Sequence, residues 1–275
     1  MAFLLQLCKK AFDMRNLLKL PLWTMISMLF LSASTVQDFE NDTFTTGETL
    51  TYKVKYDIYI NIPVAELEIK VKEDLKDFRG QECLHFSANA KTYSFYDNFF
   101  KVRDYFNAYV DAKTFEPVVF TRNVSEGKYK RKDYSIFNPS ENIVVNQDKK
   151  EFEIPEETRD ILSVWYLART FDYENMEIGD SVKLQAFFVK ETFPVGLVYL
   201  GKETIKSKVG KIECYKIKPQ LITGEVFVQE SDMTLWVTAD KNRVPVEIET
   251  GIKVGRVRIE LTDYSGLKHD WKEKN

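Results

Sequence analysis

Residues 49–56 read Thr49-Leu50-Thr51-Tyr52-Lys53-Val54-Lys55-Tyr56, in which polar and apolar side chains alternate. The same alternation recurs in residues 66–72, 246–249 and 256–261. A period of two places neighbouring side chains on opposite faces of a strand, and it is typical of antiparallel sheets with one buried and one solvated face. The sequence therefore predicts a mainly β protein.

One segment has a different period. Apolar residues between Thr158 and Asp172 recur at spacings of three and four: Ile161, Leu162, Trp165, Leu167, Ala168 and Phe171. Pro155, Glu156 and Glu157 precede them, and proline and acidic residues are favoured at the start of a helix. The pattern predicts one central helix over about residues 156–172.

The chain also resembles itself across this helix. Gly47-Glu48 is echoed by Gly179-Asp180, Cys83 by Cys214, Pro117-Val118 by Pro245-Val246 and Asp133-Tyr134 by Asp263-Tyr264. The offsets are all about 130 residues, which favours an internal duplication. Repeated use of the same turn residues by unrelated strands is the alternative explanation. The duplication predicts pseudo-repeats at about 44–137 and 176–266.

These features together predict the architecture of one domain, residues 35–275. A meander of about five strands is too small to close on itself. We therefore expect a large, antiparallel, strongly curved sheet or an incomplete barrel, built from two similar halves. The central helix would cover its concave face or fill its open mouth.

The N-terminal residues 1–34 have the pattern of a signal peptide. Arg15 and Lys19 precede an apolar run over residues 20–31, and small residues follow at 32–34. The start is Met1 or Met14. The run is shorter than the roughly 20 residues that cross a bilayer, so we expect export without a stable membrane span, and an uncleaved anchor is the alternative.

Composition excludes several classes of protein. Hydrophobic residues make up 44% and aromatic residues 14% of the chain, which is typical of a packed core and not of disorder. A net charge of -3 with scattered lysines argues against a nucleic-acid partner. Cys83 and Cys214 follow the predicted signal peptide, and they are either two separate buried thiols, which we favour, or one disulfide.

Three segments resemble one family. They are Gly47-Glu48-x-Leu50-x-Tyr52, then Asp160-x-Leu162-Ser163-x-x-Tyr166-x-x-Arg169, then Trp236-x-x-x-Asp240-x-x-x-x-Pro245-Val246. This combination is similar to the bacterial exported family known as domain of unknown function 3108. The resemblance implies an envelope-associated β protein in the periplasm of a Gram-negative bacterium. It implies no activity and no catalytic residue.

Catalytic and metal-binding patterns are missing from the sequence. There is no G-x-S-x-G motif, and His85 and His269 are the only histidines. The cysteine spacing does not match a zinc site, so neither a metal ion nor another cofactor is expected. Asp104, Asp111, Asp232 and Asp240 could converge if the halves are symmetric, which would make a cryptic carboxylate-based hydrolase.

The aromatic residues supply the candidate binding site. They are dense over residues 93–109 and again over 187–199, more than one face of a strand needs. Such an excess could line an apolar groove, with the polar face of the helix as its rim, or it could fill a large core. The candidate ligand-binding residues are Tyr93, Phe95, Phe99, Trp165, Tyr166, Arg169 and Trp236.

The sequence thus predicts a function without catalysis. We expect an exported, periplasmic, non-enzymatic binding or carrier protein of the cell envelope, with an apolar or lipid-like ligand in a concave β surface. Its partner is then an apolar small molecule or lipid, or an envelope protein. The alternatives are a structural protein–protein interaction module that pairs an exposed sheet edge, and the cryptic hydrolase.

Overall fold

The structure is a computed structural model that describes residues 39–57, 61–78, 80–223, 226–229, 233–252 and 255–271. The predicted signal peptide and Asp232 lie outside the described residues. Within the described part of the chain, 17 strands form one sheet. The same residues form two α-helices, one between the fourth and fifth strands and one after the tenth.

The first half is an antiparallel meander of six strand positions. β2 and β3 pair with different parts of β4 and so share one position. A short helix, α1 (Ser94–Phe100), connects β4 to β5. The strands are β1 (Thr49–Asp57), β2 (Asn61–Val71), β3 (Lys76–Phe78), β4 (Gln81–Thr92), β5 (Val102–Asp111), β6 (Pro117–Glu126) and β7 (Tyr129–Asn138).

A connecting region follows. It begins with a 3-10 turn (Pro139–Glu141) and the short strands β8 (Ile143–Asn146) and β9 (Glu151–Glu153), which extend the first meander. β10 (Thr158–Asp160) leads directly into helix α2 (Ile161–Arg169), and a second 3-10 turn spans Tyr173–Asn175.

The second half again has six strand positions, because β14 and β15 both pair with β13. Its elements correspond in order to those of the first meander, with one strand more per half than the sequence suggested. The strands are β11 (Ser181–Phe188), β12 (Glu191–Ser207), β13 (Gly210–Thr223), β14 (Val226–Gln229), β15 (Thr234–Thr238), β16 (Pro245–Gly251) and β17 (Arg256–Ser265).

The halves join where the first strand meets the last. β1 and β17 pair antiparallel, with Val54 opposite Ile259. The other ends of the sheet are β9 and β10, and β10 runs parallel to β11. These two edge strands do not pair with each other in the described residues, so the sheet is an incomplete barrel with one seam. The predicted fold class is therefore confirmed.

Aromatic side chains pack across the seam. Phe187 on β11 lies 6.0 Å from Phe137 on β7 and 5.7 Å from Phe152 on β9, measured between ring centroids. Phe188 lies 6.4 Å from Phe120 on β6. Side chains of the two halves therefore share one interior, although their backbones are not hydrogen-bonded there.

Helix α2 is shorter than the predicted 156–172. Thr158–Asp160 is extended, because it pairs with Gln185–Phe187 of β11. The helix begins only after Asp160, whose carboxylate caps it. Helix α1 was not predicted, since its run of aromatic residues has no helical period. Neither helix in the described residues has the length and hydropathy to traverse a bilayer.

The two cysteines are separate buried thiols. Cys83 lies on β4 and Cys214 on β13, the corresponding strands of the two halves. Burial raises the pKa of the Cys83 thiol to about 11 and that of Cys214 to about 12. Both thiols are therefore protonated and unreactive at neutral pH.

Candidate ligand-binding site

Helix α2 is held at both ends by side chains. The Asp160 carboxylate accepts hydrogen bonds from the backbone N–H groups of Leu162 (2.8 Å) and Ser163 (3.0 Å), and the Ser163 hydroxyl also donates to it. At the other end, the Tyr173 hydroxyl donates to the carbonyl of Ala168 at 2.6 Å. These contacts satisfy groups that a helix end leaves unpaired, and so fix the helix in the sheet.

One face of α2 carries a buried ion pair. Arg169 is 1% exposed, and its two terminal nitrogens contact the two carboxylate oxygens of Glu48 at 2.6 and 2.8 Å. The same guanidinium donates to the carbonyl of Asn242 at 2.9 Å. Burial lowers the pKa of Arg169, but the Glu48 carboxylate raises it more, so the net pKa lies above its ordinary value.

This ion pair brings together the three segments of the motif described above. Glu48 comes from the first segment, Arg169 from the second, and Asn242 lies within the third. A second link runs from the Tyr52 hydroxyl to the carbonyl of Pro245 at 3.0 Å. These motif residues therefore bind the two halves to α2, and their role in this structure is to hold the fold together.

Two of the candidate ligand-binding residues belong to this buried face. Tyr166 is 0% exposed, and its ring stacks on Phe86 at 4.2 Å and against Phe44 at 4.9 Å. Arg169 is enclosed by the Phe44 and Tyr166 rings. The prediction that the polar face of the helix forms an open rim is wrong, because the sheet covers that face.

The other face of α2 borders an apolar cleft of about 160 Å³. The cleft lies between the helix and β12, β13 and β15 of the second half, and its lining is almost entirely apolar. The residues that line it include Val164, Trp165 and Ala168 from the helix and Leu197, Ile217, Leu235 and Val237 from the strands.

Arg169 reaches the lining of this cleft, and the second candidate residue there is Trp165. Its side chain is half-buried, and its indole N–H is buried without a hydrogen-bond partner among the described residues. A buried donor without an acceptor costs about 1–3 kcal/mol. A ligand that carries a hydrogen-bond acceptor would satisfy it.

Trp236 lies on the opposite side of β15. Its indole N–H donates to Glu203 at 3.1 Å, and Lys216 lies 5.4 Å above its ring. Its neighbours Leu235 and Val237 line the cleft. Because side chains alternate along a strand, Trp236 is outside the cleft, and the prediction that it lines the same site is wrong.

The remaining candidates, Tyr93, Phe95 and Phe99, lie at one end of the sheet. Tyr93 occupies the N-cap position of α1 without a side-chain capping hydrogen bond, and the rings of Phe95 and Phe99 on that helix are 67% and 77% exposed. The seven predicted residues therefore lie in three parts of the fold: Trp165, Tyr166 and Arg169 on the two faces of α2, Trp236 on the outer side of β15, and Tyr93, Phe95 and Phe99 at one end of the sheet. Sequence reasoning missed the strand residues of the cleft, because Leu197, Ile217, Leu235 and Val237 follow the same alternation as any core residue.

Of the aspartates proposed for a hydrolase, Asp232 lies outside the described residues, and the other three have separate local partners. Asp111 and Asp240 accept hydrogen bonds from backbone N–H groups of their own turns. Asp104 is buried beside Glu126 on the next strand, and burial together with the Asp104 carboxyl raises the pKa of Glu126 to about 7. Across the described ranges, no three metal-ligating side chains come close enough to hold a metal ion.

The fold is similar to that of solved proteins. The β-barrel-like protein of domain of unknown function DUF1849 from Brucella abortus has a TM-score of 0.54 and 8% identity, covering 83% of this chain and 99% of its own. A "putative lipoprotein" from Parabacteroides distasonis has a TM-score of 0.36 and 12% identity, over 82% of this chain and 100% of its own. A "putative exported protein" with a YmcC-like fold from Bacteroides fragilis has a TM-score of 0.33 and 11% identity, over 81% and 97%. The first likeness supports the incomplete-barrel fold and nothing more.

Comparison with protein sequences gives the family. No curated protein matches the chain. The family described as "Protein of unknown function (DUF3108)" matches residues 51–262, which include nearly all of the sheet and the whole of α2. The chain belongs to this DUF3108 family, as its three motif segments predicted.

Proposed function

We propose that the protein is an exported, non-enzymatic binding or carrier protein of the periplasm, and that it holds an apolar ligand in the cleft beside α2. The observation that carries the proposal is an apolar cleft beside which the indole N–H of Trp165 is buried without a hydrogen-bond partner among the described residues. Pockets of this kind, mostly apolar with a few placed polar groups, are typical of small-molecule sites.

The size of the cleft limits the ligand. A cavity of roughly 150 Å³ in another protein is known to hold benzene, so about 160 Å³ accommodates an apolar group of similar size. The ligand we propose therefore inserts a ring or the end of an acyl chain of about six carbons. Its carbonyl or carboxylate accepts a hydrogen bond from Trp165.

The first experiment identifies a bound ligand. The processed protein is purified without detergent and extracted with organic solvent, and the extract is analysed by mass spectrometry. We expect an acyl or aromatic compound at near-stoichiometric amount. Refolded protein, stripped of that compound, is the control, and a clean extract from folded protein would count against a tightly held ligand.

The second experiment tests the site itself. Octanoate is titrated into the protein by calorimetry, with Trp165→Phe and Trp236→Phe as matched variants. Each removes one indole N–H, but only the first lies in the cleft. Loss of one hydrogen bond is worth about 0.5–1.5 kcal/mol, so W165F should bind about two- to twelvefold more weakly and W236F should bind as the parent does.

A third variant fills the cleft. Ala168→Phe adds a ring to the helix face that lines the cleft, and we expect octanoate binding to be lost while the far-UV circular dichroism stays unchanged. Equal affinities of the parent, W165F and A168F would contradict the proposal.

The alternative of pairing through an exposed sheet edge has weaker support. The edge strands β9 and β10 are three residues long each, and short edges offer few unpaired backbone groups to a partner strand.

A further inference from the structure

Helix α1 presents an aromatic surface to solvent. None of its residues is buried, and Phe95, Phe99 and Phe100 are 67%, 77% and 49% exposed. The helix is nevertheless held in place, because the Asp97 carboxylate on it accepts hydrogen bonds from Thr92 at 2.6 Å and from Arg103 at 2.5 Å. These rings are therefore displayed on a fixed element at one end of the sheet.

The turn between β6 and β7 lies against this helix. The backbone N–H of Gly127 donates to the carbonyl of Lys101 at 2.8 Å. A Cβ atom at Gly127 would come within 2.9 Å of the Phe100 ring, so the two are in contact. The turn carries exposed Lys128, Tyr129 and Lys130. We call α1 and this turn together the aromatic–basic tip, residues 94–101 and 127–130.

The tip is positively charged on a protein with a net charge of -3. Lys101, Lys128 and Lys130 are exposed, whereas the carboxylates at this end of the sheet are paired or buried. Asp97 is paired with Arg103, and Glu126 is buried. The side chains that meet a partner at this end are therefore phenylalanines, a tyrosine and lysines.

We infer that the aromatic–basic tip docks the protein on an anionic phospholipid surface. Phenylalanine and tyrosine rings insert at the boundary between headgroups and acyl chains, and lysines beside them pair with lipid phosphates. Large exposed apolar patches mark such interaction sites. The charge and the rings together select an anionic bilayer over a neutral one. This inference is independent of the cleft beside α2.

Vesicle sedimentation tests the inference. The protein is expressed with residues 1–34 and isolated in its processed form, with its mass confirmed. It is then mixed with vesicles of phosphatidylcholine, with or without one-third phosphatidylglycerol. We expect binding to the anionic vesicles only, and weaker binding as salt is raised.

Matched charge variants locate the contact. Lys128→Gln with Lys130→Gln removes two charges from the tip. Lys206→Gln with Lys208→Gln removes two exposed charges from the turn of the β12–β13 hairpin, where residues 205–212 include no aromatic ring. Each lysine at a membrane surface contributes about fivefold to the partition coefficient, so K128Q/K130Q should lower it about 30-fold and K206Q/K208Q should leave it unchanged.

The aromatic contribution is tested by Phe95→Ser with Phe99→Ser, which should lower the partition coefficient at least tenfold because each ring loses its insertion. Circular dichroism checks that each variant is folded. Equal loss in both lysine pairs, full binding by F95S/F99S, or no binding of the parent protein would overturn the inference. Octanoate affinity is measured on the same samples. Loss of vesicle binding by the tip is thereby distinguished from loss of ligand binding in the cleft.

Discussion

Arg169 and Glu48 form the most buried ion pair in the described structure, with side chains 1% and 0% exposed. A buried pair of this kind adds little net stability compared with an apolar replacement, but removal of one partner leaves an uncompensated charge. Removal of one partner should therefore lower the free energy of unfolding much more than replacement of both partners.

The first prediction follows from that asymmetry. Arg169→Ala should lower the free energy of unfolding by about 3–5 kcal/mol. The double variant Glu48→Gln with Arg169→Met should lower it by less. Urea denaturation measures both. Arg256→Ala is the control, since it breaks a pair with Glu249 whose arginine is 61% exposed, and should cost less than about 1 kcal/mol. Similar losses for R169A and R256A would contradict the buried network.

A second prediction concerns pH. Burial and the neighbouring Asp104 carboxyl raise the pKa of Glu126 from 4.5 to about 7. Between these values the folded protein keeps a proton that the unfolded chain has lost, so this group makes the free energy of unfolding fall as pH rises.

Glu126→Gln removes that pH dependence. The free energy of unfolding of E126Q, relative to that of the parent, should rise by about 2–3 kcal/mol between about pH 4.5 and pH 8. Urea denaturation at each pH measures this difference. Glu156→Gln, at an exposed site, is the control and should show no such gain. A constant difference between E126Q and the parent at all pH values would exclude a raised pKa at Glu126.

At the scale of the element, α2 has two faces with different tasks. Tyr166 packs on the first half, Arg169 bonds to both halves, and Val164 and Ala168 border the apolar cleft toward the second. The helix has only nine residues, too few to be stable alone, so its position depends on its caps and its packing.

The third prediction tests the N-terminal cap of α2. Asp160→Ala should lower the free energy of unfolding by about 1–2 kcal/mol and should weaken octanoate binding, because the cleft depends on the position of the helix. Asp160→Asn keeps an acceptor and should cost less. Unchanged octanoate affinity in folded D160A would show that the cleft does not depend on this cap.

At the scale of the whole molecule, the two halves are joined by β1–β17 pairing, by α2 and by aromatic packing across the seam. Each half lacks a closed sheet of its own. We therefore expect one cooperative unit in spite of the repeated arrangement of strands.

The fourth prediction follows. Urea unfolding followed by far-UV circular dichroism and by tryptophan fluorescence should give one coincident transition. Phe187→Ala removes a buried ring at the seam. It should lower the free energy of unfolding by about 3–5 kcal/mol, and the transition should remain single. Two separate transitions in the parent or in F187A would mean that the halves unfold independently.

The fold could be predicted from the sequence to a large extent because its signals are local. Alternation over residues 49–56 and 256–261 depends only on the next neighbours, so it correctly predicts strands β1 and β17. The recurrence at about 130 residues likewise predicts two similar halves. The start of α2 was placed too early, because pairing of Thr158–Asp160 with β11 overrides the helical signal of Pro155.

The candidate site could be predicted only in part because its signals are not local. Arg169 meets Glu48 across 121 residues of sequence, and nothing beside Arg169 in the chain shows that it is buried. Trp165 and Trp236 look equivalent as sequence, yet one lines the cleft and the other faces outward. Local periodicity sets which residues form strands and helices, but the face each element buries depends on how all the strands pack together.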